Sequence, residues 1–565
     1  MKASKHSSAT RCRKTHAWAS AGVLCLLLAG LGAVAAPQLV LVNAKVFTAD
    51  AARPYAQAVA VEDGRFLAVG SDEHVRALAG PKTRIIDAGG RLVTPGLIEA
   101  HVHLGPNFPA PPLAVPNLPF PGPTAEQALA AVEQAVKTGS ASSASSDWIS
   151  LPIDPLIGRD RRNWRAALDA VAPTQPVMMR GFWGHLTLLN SEALRRLGVA
   201  EDVADPLGGW WGRDANGRLD GAVYESAQDI TSRARQAEPG LLAKVFGEAA
   251  QRYARWGVTS IHLMNHGKLL KLTLDGLAMA DTGQKWTVYS WATPVRHIPD
   301  AWTAIDDAPK PTSPKVRIEG PKWMIDGTPL EQNSFQREPH PSRPDWFGRS
   351  NFTQAQITTI LQLALGRPAQ LAIHVVGDAE TDRFFKAMEA LAPASVWRTK
   401  RIRIEHGDGI GPATLAQAAR LGVVVIQNPT HLPPPSMPGT MTITNQSLLL
   451  KSLLNAGIPL ALGSDGGAAE QNPFLNMMLA CLYPAQPGEA LSREQALTAY
   501  TASGAYAEGQ EQRKGRIAPG WAADLALLSQ DVLTVALRQL PATTSLLTLV
   551  DGEVIFEDAI LAPAR

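Results

Sequence analysis

Two histidines stand one residue apart in the segment Glu99-Ala100-His101-Val102-His103. Side chains on a strand alternate between faces, so both imidazoles project the same way and can hold one metal ion. A hydrogen-bonded pair of core histidines explains an isolated His-x-His equally well. His374 and His406 close two other apolar runs, in Ile373-His374-Val375 and Ile404-Glu405-His406, and Asp465 follows Leu462-Gly463-Ser464. Imidazole and carboxylate suit a borderline-soft divalent ion such as Zn²⁺. Lys322 lies within Pro321-Lys322-Trp323-Met324-Ile325-Asp326, a largely apolar run in which desolvation disfavours a free ammonium. Burial makes such an amine nucleophilic towards CO₂, and the resulting carbamate is an anion able to bridge two metal ions. Pairing with Asp326 or Glu319 at the surface fits the spacing as well. His185 and His431 are candidates for substrate contact, each with a structural hydrogen bond as the alternative. His262 and His266 read as structural or rim residues.

These groups act together only if the chain gathers them. Apolar runs at 97–103, 258–262, 286–291, 316–325, 370–376, 402–406, 423–427 and 460–463 alternate with helix patterns, the signature of βα units around a parallel sheet. Thr353 with Gln356 and Ser492 with Gln495 match capping boxes at helix starts. Eight strands predict an α/β fold of the (β/α)8 TIM barrel type, whose reactive groups sit at the C-terminal ends of strands. Closure sets the eighth strand beside the first, so His101, His103, His374, His406 and Asp465 converge in one mouth. An insertion at about 104–255 separates the first two strands. It opens with eight prolines between Pro106 and Pro123, suited to a rim or lid, and carries a Gly/Ser/Ala tract at 139–146 that reads as a flexible linker. A further strand at 176–182 belongs to the insertion, since the barrel already has eight.

Both flanks of the barrel (96–505) are rich in short alternating strands: 39–47, 58–69 and 83–87 before it, 524–528, 545–550 and 553–556 after it, with Asp63-Gly64 and Asp551-Gly552 placed as hairpin turns. Each set alone is too small for a closed sheet, so residues 36–95 and 506–565 are expected to pair into one composite β-sandwich.

The 565 residues carry 53 Lys+Arg against 51 Asp+Glu, which leaves no global field to hold nucleic acid. Lys2, Lys5, Arg11, Arg13 and Lys14 precede an uncharged stretch at 17–33, followed by Ala33-Val34-Ala35. This pattern predicts a signal peptide over 1–35 and a periplasmic or secreted protein, with an uncleaved anchor as the alternative. Cleavage takes the basic count from 53 to 48 and leaves Cys481 as the sole cysteine, so no internal disulfide is expected. No later segment approaches an apolar span of ~20 residues, so no stable membrane association follows cleavage. The expected partner is a small-molecule substrate, and a homodimer is compatible with the chain.

The motifs taken together resemble the amidohydrolase superfamily, in its YtcJ-like branch similar to N-substituted formamide deformylase: Val93-Thr94-Pro95-Gly96 into His101-Val102-His103, Lys322 with Asp326-Gly327, His374 with Gly377-Asp378, Glu405-His406, Gln427-Asn428-Pro429-Thr430-His431, and Gly463-Ser464-Asp465. Gly184-His185-Leu186, Asn190-Ser191-Glu192-Ala193-Leu194, Asp205-Pro206, Gly208-Gly209 and the segment from Arg213-Asp214 to Gly221 extend the likeness into the insertion. The resemblance implies a barrel with a composite β-sandwich and a one- or two-metal site, commonly zinc. His101, His103 and Asp465 would hold the more buried ion, His374 and His406 the second, and an N6-carboxylysine at Lys322 would bridge them. It also implies hydrolysis of an amide or related C–N bond through a metal-activated hydroxide, with Asp465 as the proton carrier and His185 at the substrate oxygen. Glu99 and Trp323 depart from the branch, which more often has Asp and a smaller aliphatic residue there. Two other readings share these residues: the same centre acting on esters, lactones or phosphotriesters, and a catalytically silent metal-binding protein.

Overall fold

Eight short runs, four of them dominated by Val, Ile, Leu and Ala, lie side by side in parallel in a computed structural model that describes residues 36–105, 124–138, 148–153, 155–181, 184–234, 238–292, 295–340, 342–431, 448–466 and 470–561. We label these barrel strands β1 (Leu97–Val102), β2 (Val258–His266), β3 (Lys285–Trp291), β4 (Val316–Met324), β5 (Ala372–Val375), β6 (Arg403–His406), β7 (Val424–Gln427) and β8 (Leu460–Leu462). Each pairs in parallel with the next. Closure from β8 to β1 runs through the residues just past β8: Asp465 N donates to the His101 carbonyl (2.9 Å) and Ser464 N to Glu99 Oε1 (2.7 Å). A Cβ at Gly463 would lie 2.4 Å from His101 N, so only glycine permits this approach. Both expected capping boxes are formed.

The insertion builds its own five-stranded sheet from Ile149–Ile153, Val177–Gly181, Leu186–Leu189, Gly209–Arg213 and Leu219–Glu225, with helices Ala125–Thr138 and Trp164–Val171 packed into its core. The strand expected near 176–182 therefore belongs to the insertion. Pro239–Arg255 is an amphipathic helix that returns the chain to β2, burying Leu242, Phe246, Ala249 and Tyr253.

The chain ends meet in a six-stranded sheet in which Leu92–Pro95 pairs with Leu525–Leu528. The second sheet corrects the expectation that neither end suffices alone: Leu39–Val42, Ala58–Glu62, Arg65–Gly70 and Arg84–Asp87 form four strands from the N-terminal end only. A parallel return, Leu39–Val42 beside Arg84–Asp87, supplies the fourth partner that a hairpin count missed. The two sheets share one apolar core. Asp63-Gly64 and Asp551-Gly552 both turn with positive φ, as two-residue hairpins require, and the turns abut.

The segment expected as a signal peptide, the proline-rich stretch and the 139–146 tract lie outside the described residues. Among the described residues no helix is long and apolar enough to cross a membrane.

Candidate metal centre

The C-terminal ends of the barrel strands deliver the site. His101 is fully buried on β1, and His103, one residue past its end, keeps 35 % of its side chain exposed. Their ring centroids are 5.3 Å apart, as a period of two requires. Lys322 on β4 is 1 % exposed, with Nζ 3.3 Å from His101 Nε2 and 3.4 Å from His103 Nε2. Surface pairing is thereby excluded. Asp326 instead accepts from the backbone N–H groups of Phe335, Val376 and Gly377, and Glu319 binds Arg317 and the Gln370 N–H. Burial pushes the Lys322 amine below its ordinary pKa.

Asp465 sits among the imidazoles and divides them. Its Oδ1 lies 3.1 Å from His101 Nε2 and 3.4 Å from His103 Nε2, while Oδ2 lies 3.8 Å from His406 Nε2 and 3.6 Å from His431 Nε2. Burial alone would raise this carboxyl, but His101, His103 and His406 outweigh it and hold Asp465 well below the usual range. His374 on β5 stands with its ring 4.7 Å from that of His406, and its Nε2 is buried without a hydrogen-bond partner. Alternation along β6 puts Arg403 and Glu405 on one face and would turn His406 to the other. A φ of 67° at His406 breaks the alternation and brings its ring within 5.1 Å of His101, and Asp465 has φ 52°. Non-glycine residues rarely adopt this left-handed region, and such backbone clusters at functional sites.

The insertion reaches the same mouth. His185 is buried with its ring 5.1 Å from that of His374, and Nδ1 lies 2.9 Å from Glu225 Oε1. Burial favours a neutral imidazole, yet Glu225 outweighs it and raises His185 to about 9. His431 ends a short 3-10 turn, Pro429–His431, with 40 % of its side chain exposed beside Asp465. His262 is buried in a network on the far side of Arg403, and His266 lies against Trp291 at the rim.

The donors fit a divalent ion. One ligand atom from each of His101, His406 and Asp465 falls within 4.8 Å of the others. A buried orphan nitrogen such as His374 Nε2 needs a partner of this kind. The amidohydrolase family model matches residues 84–556. The chain belongs to the amidohydrolase family.

It is 26% identical over 525 residues to Protein LONG AFTER FAR-RED 3 of Arabidopsis thaliana, with 87% of each chain covered. It is also 26% identical over 549 residues to N-substituted formamide deformylase of Arthrobacter pascens, covering 92% of this chain and 98% of that one. Its fold matches the crystal structure of an uncharacterized metal-dependent hydrolase from Pyrococcus horikoshii with a TM-score of 0.65 at 17% identity, covering 88% of this chain and 99% of that chain. As an amidohydrolase, the protein is a metal-dependent hydrolase of carbon–nitrogen bonds that uses a divalent ion.

Several supporting residues of this amidohydrolase carry no local signal of their role. Glu405 contacts His101 from across the barrel, Arg403 holds Glu405, and Glu225 and Glu331 surround His185. Glu99 ties the end of β8 to β1 through Ser464 N, and burial raises its pKa to about 8. Trp323 turns away from the mouth and packs edge-on against Phe352.

Proposed function

We propose that the protein is an exported amidohydrolase that uses one or two Zn²⁺ ions to hydrolyse an amide, such as an N-substituted formamide, on a small molecule. The observation that carries this reading is Asp465: one carboxylate whose two oxygens face two sets of imidazoles, with the buried Lys322 amine at one set. His101, His103 and Asp465 would hold one ion, and His374 and His406 the other. Bound ions supply Lewis acidity at the carbonyl and a water acidified towards neutrality.

The chain's own residues do the rest. Burial keeps part of Lys322 as free amine, which adds to CO₂ through a new N–C bond and loses a proton to give a carbamate anion between the two sets. Asp465 stays ionised among its imidazoles, so its carboxylate takes up a proton only as the tetrahedral intermediate forms, and it passes that proton to the nitrogen of the departing amine. His185, held by Glu225, presents its other ring nitrogen to the substrate oxygen. His431 contacts the substrate beside Asp465.

Metal analysis of the purified protein, followed by assay on N-substituted formamides, other amides, esters and phosphotriesters, tests this. One to two equivalents of zinc with amide turnover lost on chelation is expected. Full activity in a metal-free preparation, or turnover of esters or phosphotriesters alone, refutes it. Export predicts Ala36 as the first residue of protein recovered from a bacterial periplasm.

A further inference from the structure

His101 has a second partner on its far side. Its Nδ1 lies 2.5 Å from Glu405 Oε2, and His101, Glu405 and Arg403 are all fully buried. Arg403 in turn places Nε 2.5 Å from Glu405 Oε1 and Nη1 2.8 Å from His262 Nδ1, while Nη2 donates to the carbonyl of Ala100, the residue before His101. The guanidinium also lies over the Tyr289 ring, 4.6 Å from its centroid. β1 and β6 are not neighbours in the sheet, so these contacts cross the barrel interior and fix the ring and backbone of one residue from two directions.

We propose that Glu405 is a positioning residue for the metal centre, setting the tautomer and orientation of His101, with Arg403 holding it in place; this rests on the metal-dependent reading above. A carboxylate against a guanidinium only accepts hydrogen bonds, so the shared proton belongs to His101 Nδ1. Nε2 then keeps its lone pair free, aimed at the space where Asp465 Oδ1 lies 3.1 Å away. Outer partners of this kind orient a metal-binding imidazole and raise its basicity. Of the other imidazoles around Asp465, His406 places its Nδ1 2.8 Å from the neutral amide oxygen of Asn428, a weaker partner than a carboxylate.

The test has two readouts. Long-range ¹H–¹⁵N NMR of the metal-free protein should show His101 protonated at Nδ1, and Glu405→Gln should shift it towards the Nε2–H form. Chelator competition should show Glu405→Gln binding Zn²⁺ about 10–100-fold more weakly than wild type, with Glu405→Asp in between and Asn428→Ala less affected. His101 protonated at Nε2 in the wild-type protein overturns the proposal even if Glu405→Gln fails to fold. So does a Glu405→Gln affinity within threefold of wild type. A wild-type protein that takes up no Zn²⁺ refutes the metal-dependent reading, while the tautomer measurement still decides whether Glu405 orients His101.

Discussion

The two ends of the barrel both bury charge, yet they treat it differently. At the N-terminal end the Lys514 and Lys285 ammonium groups each face a carboxylate: Lys514 Nζ lies 2.7 Å from Glu508 Oε1, and Lys285 Nζ lies 2.8 Å from Asp524 and 2.7 Å from Asp551. Thr287 and His262 add further contacts to Glu508. At the C-terminal mouth four imidazoles crowd one carboxylate, the Lys322 amine faces two ring nitrogens, and the nearby His374 Nε2 has no partner. Buried charges in proteins are paired or coordinate metals. The first cluster follows the first rule, so its role is structural; the second is completed only by cations.

The contrast fails if the mouth tolerates loss of its carboxylate. Asp465→Asn keeps the shape but removes both the anion and the proton acceptor. Turnover is expected to fall by roughly 10⁴-fold, about 5.5 kcal/mol at 1.36 kcal/mol per decade, with reduced zinc per chain by elemental analysis. Lys322→Ala should cost roughly 10³-fold in turnover and one equivalent of metal, and short carboxylates or bicarbonate should partly restore both. Unchanged metal content and turnover in that variant would retire the two-ion arrangement while leaving one ion at His101, His103 and Asp465.

The same substitution logic predicts a different signature at the other end. Glu508→Ala leaves the buried Lys514 without its carboxylate, with the Ser260 hydroxyl still bound, and should destabilise the fold by about 3 kcal/mol in denaturant titration. Zinc per folded chain should stay at the wild-type value. A loss of metal from folded Glu508→Ala would show that the two ends are not separable.

Sequence alone revealed the eight strands and the side chains gathered at their ends, because apolar runs, the His-x-His spacing and a terminal Asp are local signals. Alternation even placed His101 and His103 together before any contact was known. It misplaces His406, whose left-handed backbone depends on tertiary packing. Glu405 and Arg403 stand beside His406 in the chain, but their tie to His101 exists only once β6 faces β1 across the barrel. Glu225 is likewise 40 residues from His185 and meets it through pairing within the insertion sheet. The four-stranded sheet of the N-terminal end was missed because one of its pairings, Leu39–Val42 with Arg84–Asp87, is parallel and leaves no hairpin signal.

The smallest expected effect is a pH dependence at the paired end. His262 is fully buried beside Arg403, and burial lowers its pKa from 6.5 to about 4, although Glu508 works the other way. Below pH 6.5 the unfolded chain therefore binds a proton at this residue that the folded chain refuses until about pH 4. Stability rises with pH wherever the unfolded state holds more protons, so His262 contributes stability that is present above pH 6.5 and lost on acidification. By pH 5 the loss is about 2 kcal/mol. His262→Gln cannot titrate, so its unfolding free energy should decline less steeply than that of wild type between pH 7 and pH 5, whatever the offset between the two at pH 7. Parallel curves over that interval would mean that His262 stays accessible to protons in the folded state, and the paired end would then be less closed than its contacts indicate.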